Sequence, residues 1–207
     1  MLDFARENNA DPKIEYRTLD LSKDDDVLRF SVEHGPFQRV YSFITLHWLA
    51  DQLQALRNIE TLMAPRAECF LVFSYTMSVF DLFETMIRSS RWEKYSDLLQ
   101  RCIPPTNGMH ETGALRSYLA KLVSGTNLIP LSCEVVRSPM TIGCTKESAV
   151  DIFLLLNPVY PLLNDDEKAE LREFTEGFIK SVKEGPSWDV KKREQSLLVI
   201  HAYKPEV

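Results

Sequence analysis

The feature that most constrains the fold is the stretch from Phe37 to Phe73, which reads as strand, short loop, helix, turn and strand. Arg39–Thr45 has the composition of a strand. Glu68–Tyr75 is a nearly continuous apolar run, typical of a strand buried on both faces. A strand, helix and strand in this order predict an open α/β sheet, in which ligands bind beyond the carboxyl ends of the strands.

The helix inside this stretch has its own signals. Asp51 and Gln54 have the spacing of an N-terminal cap, and Ala64-Pro65 predicts the end of the helix. The apolar residues between them recur in steps of three and four, the spacing of a helix that packs on a sheet. They are Leu53, Leu56, Ile59 and Met63.

The rest of the chain extends the same alternation. Strands are predicted at Lys13–Leu19, Ile129–Val136 and Ser196–Tyr203. Helices are predicted at Leu2–Arg6, at Ser22–His34 from a capping box of Ser22 and Asp25, within Met77–Arg101, at Thr112–Ser124, at Thr145–Leu156, and from a capping box of Asn164 and Glu167 to Gly185-Pro186. This order predicts one α/β domain over residues 1–207, with helices on both faces of the sheet and a helical cap insertion at about 77–127.

Composition excludes several classes of function. The 207 residues are 44% hydrophobic, enough for one sizeable core, and the net charge of -6 gives no electrostatic attraction to nucleic acid or anionic membrane. No apolar run approaches the roughly 18 residues that span a bilayer, and the first residues lack a secretory signal. The four cysteines are widely spaced, which predicts no metal site, no disulfide framework and a cytoplasmic location.

His47 and Trp48 come just after the apolar run Val40–Leu46, at the end of the strand Arg39–Thr45. A tryptophan there offers an apolar wall and one N–H donor for a carboxylate, and a histidine donates similarly or acts as an acid or base. The alternative is a core tryptophan beside a histidine in a turn. The residues alone leave the two interpretations equal.

Two other groups carry a functional and a simpler interpretation. Asp20 ends the strand Lys13–Leu19, where it could accept a hydrogen bond from an adenine amino group or a ribose hydroxyl; the alternative is a turn or a helix cap. Apolar and aromatic residues in the predicted insertion could line an elongated pocket or form a helix-packing core. They are Met77, Phe80, Phe83, Met86, Trp92 and Tyr95.

Several words of the sequence resemble those of one family. They are Ser42-Phe43, Leu46-His47-Trp48, Gln52, Ala55-Leu56-Arg57-Asn58-Ile59 and Glu68-Cys69-Phe70-Leu71-Val72-Phe73. With them the chain resembles class I S-adenosylmethionine-dependent methyltransferases, and among these it looks most like the juvenile hormone acid methyltransferases. The resemblance implies a Rossmann-like sheet and methyl transfer from S-adenosylmethionine to the carboxylate of a small terpenoid-like acid.

The same resemblance implies roles for individual residues. Asp20 and Leu21 match the place that holds the adenine of the cofactor, and Ser42 and Phe43 match the strand end near its methionine part. His47 and Trp48 match the corner that faces the substrate. No catalytic residue is implied, because a carboxylate is already a nucleophile near neutral pH.

The sequence also departs from the family. The family's glycine-rich cofactor loop, the strand before it and the acidic strand after it lie upstream of the position of Met1, so the sheet is predicted to be partial. Residues 65–67 replace Pro-Gly-Gly by Pro-Arg-Ala, which predicts a strained or altered turn. The alternative function is therefore a truncated, inactive methyltransferase-like fragment or a binding module. A hydrolase or dehydrogenase lacks its nucleophile elbow or its dinucleotide glycines here.

Overall fold

The computed structural model describes residues 2–139, 146–183 and 194–206. Within these ranges four strands form one sheet in the order β1-β2-β4-β3. They are β1 (Phe37–Phe43), β2 (Met63–Ser74), β3 (Ile129–Pro139) and β4 (Glu194–Tyr203). β1 and β2 are parallel, whereas β4 runs antiparallel to both of its neighbours, β2 and β3. The predicted α/β class is confirmed.

The helices follow the predicted alternation closely. They are α1 (Leu2–Asn8), α2 (Asp24–His34), α3 (Gln52–Leu62), α4 (Ser78–Ile87), α5 (Ser96–Gln100), α6 (Thr112–Ser124), α7 (Lys146–Leu155) and α8 (Asp165–Lys183). Short 3₁₀ turns lie at Leu46–Trp48, Glu93–Tyr95 and Tyr160–Leu162. No helix in the described ranges is both long and apolar enough to cross a membrane.

Two of the predicted helix caps are present. The Asp51 carboxylate accepts a hydrogen bond of 2.9 Å from the Gln54 backbone N–H at the start of α3. At the start of α8, the Glu167 N–H donates to Asn164 Oδ1 at 2.9 Å, and the Asn164 N–H donates to Glu167 Oε2 at 3.2 Å. These bonds satisfy N–H groups that have no partner within the helix. The predicted end of α8 at Gly185-Pro186 lies outside the described residues.

The capping box predicted from Ser22 and Asp25 is wrong, although the helix itself is present. α2 begins at Asp24, and the residue before it, Lys23, makes no side-chain cap. Ser22 instead donates from its backbone N–H and its hydroxyl to the carboxylate of Asp20. Ser22 is therefore part of the turn at Asp20 and does not cap α2.

The strand predicted at Lys13–Leu19 is also wrong. No residue of this segment pairs in the sheet. Its polar groups are satisfied locally instead: the Arg6 guanidinium donates to the Tyr16 carbonyl at 3.1 Å, and the Tyr16 hydroxyl donates to the Asn9 carbonyl at 2.8 Å. Alternating apolar residues favour an extended chain, but a strand also needs a neighbour, and the described ranges supply none to this segment.

The two faces of the sheet differ sharply in burial. Along β2 and β4 every second residue is buried, and these residues form the main core with helices α3 and α6. The sheet contributes Ala67, Cys69, Leu71, Phe73, Leu198, Ile200 and Ala202, and the helices contribute Ala55, Leu56, Ile59, Leu115, Leu119, Leu122 and Val123. These helices cover the face on which the sheet is most apolar.

The opposite face, which we call the open face, is only partly covered by the described residues. Tyr41 and Phe43 of β1 are 58% and 59% exposed. The Phe43 ring lies 6.2 Å from that of Phe70, and Phe70 lies 5.9 Å from the ring of His201 on β4. β1 pairs with β2 alone within the described ranges, so its other edge is unpaired there. The helix cover expected on both faces is therefore unequal.

A second core lies among the helices around the strand ends. It joins α4 and α5 to α7 and α8 and contains Phe80, Phe83, Met86, Trp92, Leu99, Val150, Leu154, Leu171 and Ile179. The aromatic and methionine residues predicted as pocket or core thus include four that are at most 1% exposed. Their role in packing is confirmed. α6 lies within the predicted insertion but packs on the sheet.

The backbone at residues 65–67 is strained, as the sequence predicts, although these residues lie within β2 and not in a separate turn. Arg66 has a φ of 63°, a value that residues with a side chain adopt at a cost. Its backbone N–H donates to the Lys204 carbonyl at 2.9 Å, and its guanidinium pairs with the carboxylate of Glu206. The hydrogen bond to the end of β4 holds Arg66 in this conformation.

Candidate functional site

The candidate site is built on the 3₁₀ turn Leu46–Trp48, three residues after the end of β1. The connection to the strand is strained: Ile44 has a φ of 54°, which is rare for a β-branched residue. Its N–H donates to the Val72 carbonyl of β2 at 2.7 Å. Strained backbone of this kind persists where surrounding structure enforces it, and it is common at functional sites.

His47 is fully buried, and neither of its ring nitrogens has a hydrogen-bond partner among the described residues. Nearly all buried polar side chains are hydrogen-bonded, so this histidine is an exception. Burial lowers its pKa to about 4, because a charged imidazolium is costly away from water. At neutral pH the ring is uncharged and carries one N–H donor and one acceptor nitrogen.

Trp48 and Phe80 enclose this histidine. The ring centroids of His47 and Trp48 are 5.2 Å apart, those of Trp48 and Phe80 are 5.3 Å apart, and those of His47 and Phe80 are 6.3 Å apart. We call the three residues the aromatic corner. Phe80 belongs to the second core, whereas Leu46 of the same turn belongs to the main core. The turn therefore lies where the two cores meet.

Sequence reasoning placed His47 and Trp48 at a strand end, and the structure brings them together. Phe80 was considered only as pocket or core. Phe80 and Asp81 come shortly after the predicted strand Glu68–Tyr75, and this position is the signal that could have identified Phe80. Trp48 is half-buried, so its indole can reach a ligand more readily than the enclosed His47.

Asp20, a predicted cofactor residue, lies in a turn. Its Oδ1 accepts hydrogen bonds from the Ser22 hydroxyl at 2.7 Å and the Ser22 N–H at 3.0 Å. These bonds, the hydroxyl first, lower the pKa of Asp20. Lys23 Nζ lies 3.4 Å from Oδ2, and the side chain remains 43% exposed. The simpler interpretation, an aspartate in a turn, is thus present, and both carboxylate oxygens already have partners.

Leu21 is tied to the helix that follows the candidate site. It is half-buried against the main core, and its carbonyl accepts a hydrogen bond of 2.9 Å from the Asn58 side-chain amide on α3. The same amide donates to Asp24 Oδ1 at 3.0 Å. Asn58 has only 4% exposure, and its place in the word Ala-Leu-Arg-Asn-Ile was the signal for it.

Ser42 and Phe43, the other predicted cofactor residues, lie at the end of β1. Successive strand residues point to opposite faces of a sheet. Ser42 is half-buried and lies on the face that also carries Val40, which packs against the main core, whereas Phe43 projects onto the open face. The structure therefore keeps the two as neighbours along the chain but divides them between the two faces.

A cleft of about 730 Å³ with a mixed polar and apolar lining opens near the turn. Its walls include Ala50, Glu84 and Asn107 but neither His47 nor Trp48. The Asn107 amide donates to Glu84 Oε1 at 2.8 Å, and the Thr76 hydroxyl contacts the other end of this amide. No group of three or more potential metal ligands occurs in the part of the chain that the structure describes.

Comparisons by sequence find relatives of one kind. No protein-family model matches the chain. Juvenile hormone acid O-methyltransferase of Bombyx mori is 31% identical over 105 residues, which are 51% of this chain and 36% of the relative. The enzyme of the same name from Drosophila melanogaster is 29% identical over 72 residues, 34% of this chain and 24% of the relative. The matches thus span about a third or less of these relatives' lengths.

Comparisons of fold extend over nearly the whole chain. The [4+2]-cyclase SpnF aligns with 99% of this chain and 61% of its own, with a TM-score of 0.50 and 11% identity. Phosphoethanolamine N-methyltransferase 2 of Haemonchus contortus, solved with S-adenosyl-L-methionine, aligns with 82% of this chain and 34% of its own, with a TM-score of 0.37 and 10% identity. By sequence, about half of the chain is similar to the juvenile hormone acid O-methyltransferase of Bombyx mori, and its overall fold is similar to that of SpnF.

Proposed function

We propose that the chain acts as an S-adenosylmethionine-dependent O-methyltransferase on the carboxylate of a small apolar acid, as the names of its sequence relatives suggest. The observation that carries the proposal is the aromatic corner: an uncharged His47 without a partner and a half-buried Trp48, placed beyond the carboxyl end of a strand. That is where open α/β sheets bind their ligands.

The chemistry asks little of the protein beyond placement. A carboxylate is ionised near pH 7 and attacks a methyl group without a general base. The Trp48 indole N–H donates to one carboxylate oxygen and leaves the other free to react. His47 lies beside Trp48 and is uncharged, so it forms no ion pair that would weaken the nucleophile. Orientation alone can supply effective molarities of about 10⁵–10⁸ M.

S-adenosylmethionine supplies an electrophilic methyl group on a sulfonium. The residues on the cofactor side fit parts of this molecule. Asp20 has a lowered pKa and a partly exposed carboxylate, which suits it to accept from an adenine amino group. Leu21 would pack beside the adenine, and Ser42 and Phe43 would lie near the methionine part. The sequence contains no G-x-G loop for the remainder of the cofactor.

Replacing Trp48 tests the proposal. Trp48→Ala should reduce methylation of farnesoic acid, used as the probe acid, by about 100-fold, since a displacement of about 1 Å costs that much. The calorimetric affinity for S-adenosylmethionine should change little. Trp48→Phe is the matched control that keeps the ring and removes the N–H, and its activity should lie between the two. Full activity in Trp48→Ala would refute the assigned role.

A second candidate function has its own observation. The unpaired edge of β1 and the exposed Tyr41 and Phe43 favour a methyltransferase-like binding module that is catalytically inactive by itself. Titration of the 207-residue chain with S-adenosylmethionine in a calorimeter separates the two functions. Micromolar binding refutes the inactive module, and absence of heat together with absence of methyl transfer supports it.

A cytoplasmic location is part of the proposal. Cys69, Cys102 and Cys133 are free thiols in the structure. Burial raises the pKa of Cys69 to about 11, so this thiol stays protonated and unreactive. Free thiols are the usual state of cysteine in a reducing compartment. A fluorescent fusion found in a secretory compartment would contradict this assignment.

A further inference from the structure

Gln52, the first residue of α3, connects the candidate site to a distant helix. Its side chain is 2% exposed and makes a hydrogen bond at each end of its amide. Nε2 donates to the carbonyl of Leu46 at 3.1 Å, and Oε1 accepts from the hydroxyl of Tyr118 at 2.9 Å. Leu46 is the first residue of the 3₁₀ turn, and Tyr118 lies on α6. Two hydrogen bonds therefore lead from α6 to the turn.

The direction of both bonds is fixed by chemistry. Burial, with a smaller contribution from the negative charge of Asp51, raises the pKa of Tyr118 to about 12, so its hydroxyl remains protonated and can donate. The backbone carbonyl of Leu46 can only accept. The Gln52 amide satisfies both groups only with its oxygen toward Tyr118 and its nitrogen toward Leu46. The reversed amide would place two oxygens against each other.

Tyr118 is itself held firmly. Leu115 and Leu119, on either side of it in α6, are 2% and 0% exposed in the main core. The hydroxyl is therefore fixed relative to the sheet. On the other side of the turn, Trp48 contacts Phe80 of the second core. A turn of three residues thus has two anchors, and Gln52 with Tyr118 forms the anchor on the sheet side.

We propose that Gln52 and Tyr118 are positioning residues for carboxyl methylation, an inference that rests on the proposed function. Neither residue touches the substrate. Acting through Leu46, they set the point at which Trp48 presents its N–H to the carboxylate. Without the Tyr118 hydroxyl, Gln52 Oε1 has lost its partner in a buried place, and the amide can rotate or withdraw from the turn.

The first test is kinetic. Tyr118→Phe removes one hydroxyl and should lower kcat/KM for farnesoic acid about 10-fold, the cost of a lost buried hydrogen bond. The dissociation constant for S-adenosylmethionine should not change. Tyr16→Phe is the matched control, because it removes a hydroxyl that donates to the Asn9 carbonyl at 2.8 Å elsewhere on the molecule. The control should keep the activity of the parent chain.

A double-mutant cycle distinguishes positioning from general stability. If Tyr118 acts through Trp48, Tyr118→Phe should lower the residual activity of Trp48→Ala less than about twofold, because residues that act as one unit are not additive. A further tenfold loss in the Trp48→Ala background would mean that Tyr118 supports the whole fold, and it would overturn the inference.

Hydrogen exchange separates failure of the inference from failure of the proposed function. If the parent chain transfers no methyl group, the proposed function fails, and the anchoring is then read from amide exchange of residues 44–49. Tyr118→Phe should speed exchange there relative to Tyr16→Phe, because the turn opens more often. Equal exchange in the two variants would overturn the inference, whatever the activity.

Discussion

The two sides of the carboxyl end of β1 are built differently. On the proposed substrate side, His47, Trp48 and Phe80 lie between two cores, and the turn that carries His47 and Trp48 is bonded to α3 through the Leu46 carbonyl. On the proposed cofactor side, Phe43 is 59% exposed and the Asp20 side chain is 43% exposed. Asp20 already accepts hydrogen bonds in a local turn. Burial fixes the first side before any ligand arrives.

The largest expected effect is on stability, when an aromatic ring is deleted on one side and compared with a deletion on the other. Phe80→Ala should cost about 3–5 kcal/mol of unfolding free energy, because the ring is fully buried and leaves a cavity. Phe43→Ala should cost less than about 1.5 kcal/mol, the value of an aromatic pair, since Phe43 is 59% exposed. Urea unfolding of both variants gives the comparison. Equal losses would show that the two sides are equally packed.

Acid should weaken the substrate side through His47. Its folded pKa of about 4 lies below the ordinary value of 6.5, so the unfolded chain binds the proton first. Stability is therefore complete above about pH 6.5 and is lost as the pH falls toward 4, by about 3 kcal/mol in total.

The measurement is the difference in unfolding free energy between the parent chain and His47→Gln at several pH values from 7 to 4. The difference should shrink with falling pH, since the glutamine has no proton to gain. His201→Gln on the open face is the control. A difference that is constant with pH would show that water reaches His47 in the folded state.

A moderate effect is expected on the cofactor side. Asp20→Asn keeps an oxygen that can accept from the Ser22 N–H and removes only the charge. The affinity for S-adenosylmethionine should fall about 10-fold, the value of a hydrogen bond to a charged group. Ser22→Ala leaves the carboxylate and disturbs the turn. If calorimetry shows the greater loss for Ser22→Ala, the turn matters more than the charge.

The smallest effects concern the two residues other than glycine that have a positive φ in the described ranges. Glycine adopts this conformation without strain, so Ile44→Gly and Arg66→Gly should each change the unfolding free energy by less than about 1 kcal/mol, strain relief being offset by chain entropy. Ile44→Gly should lower activity, because Ile44 connects β1 to the turn; Arg66→Gly should not. An equal loss of activity in both would remove the link between the strain at Ile44 and the site.

Local signals in the sequence predicted much of this structure. The caps at Asp51 and Asn164 depend on residues three apart, and the turn with His47 and Trp48 begins within three residues of its strand. Lys13–Leu19 failed because pairing depends on a neighbour that the pattern of one segment cannot reveal. The alternation of a strand already implied that Ser42 and Phe43 face opposite ways, a consequence that the family match obscured.

The anchor formed by Gln52 and Tyr118 could not be read from the sequence. These residues are 66 positions apart, and each looks ordinary in its own helix. Their contact follows from the packing of α6 on the sheet beside α3, which is a property of the assembled core. Features that involve one element were accessible in advance, and features that join two elements distant in sequence were not.

The strand order β1-β2-β4-β3 has a consequence for synthesis on the ribosome. β4 is made after the other three strands, yet it lies between β2 and β3 and supplies Leu198 and Ile200 to the main core. Until β4 emerges, nothing in the sheet joins β2 to β3 within the described ranges. The helices α3 and α6 then have only part of a sheet to cover. The nascent chain must therefore keep these surfaces apart, the condition in which chaperones are most needed.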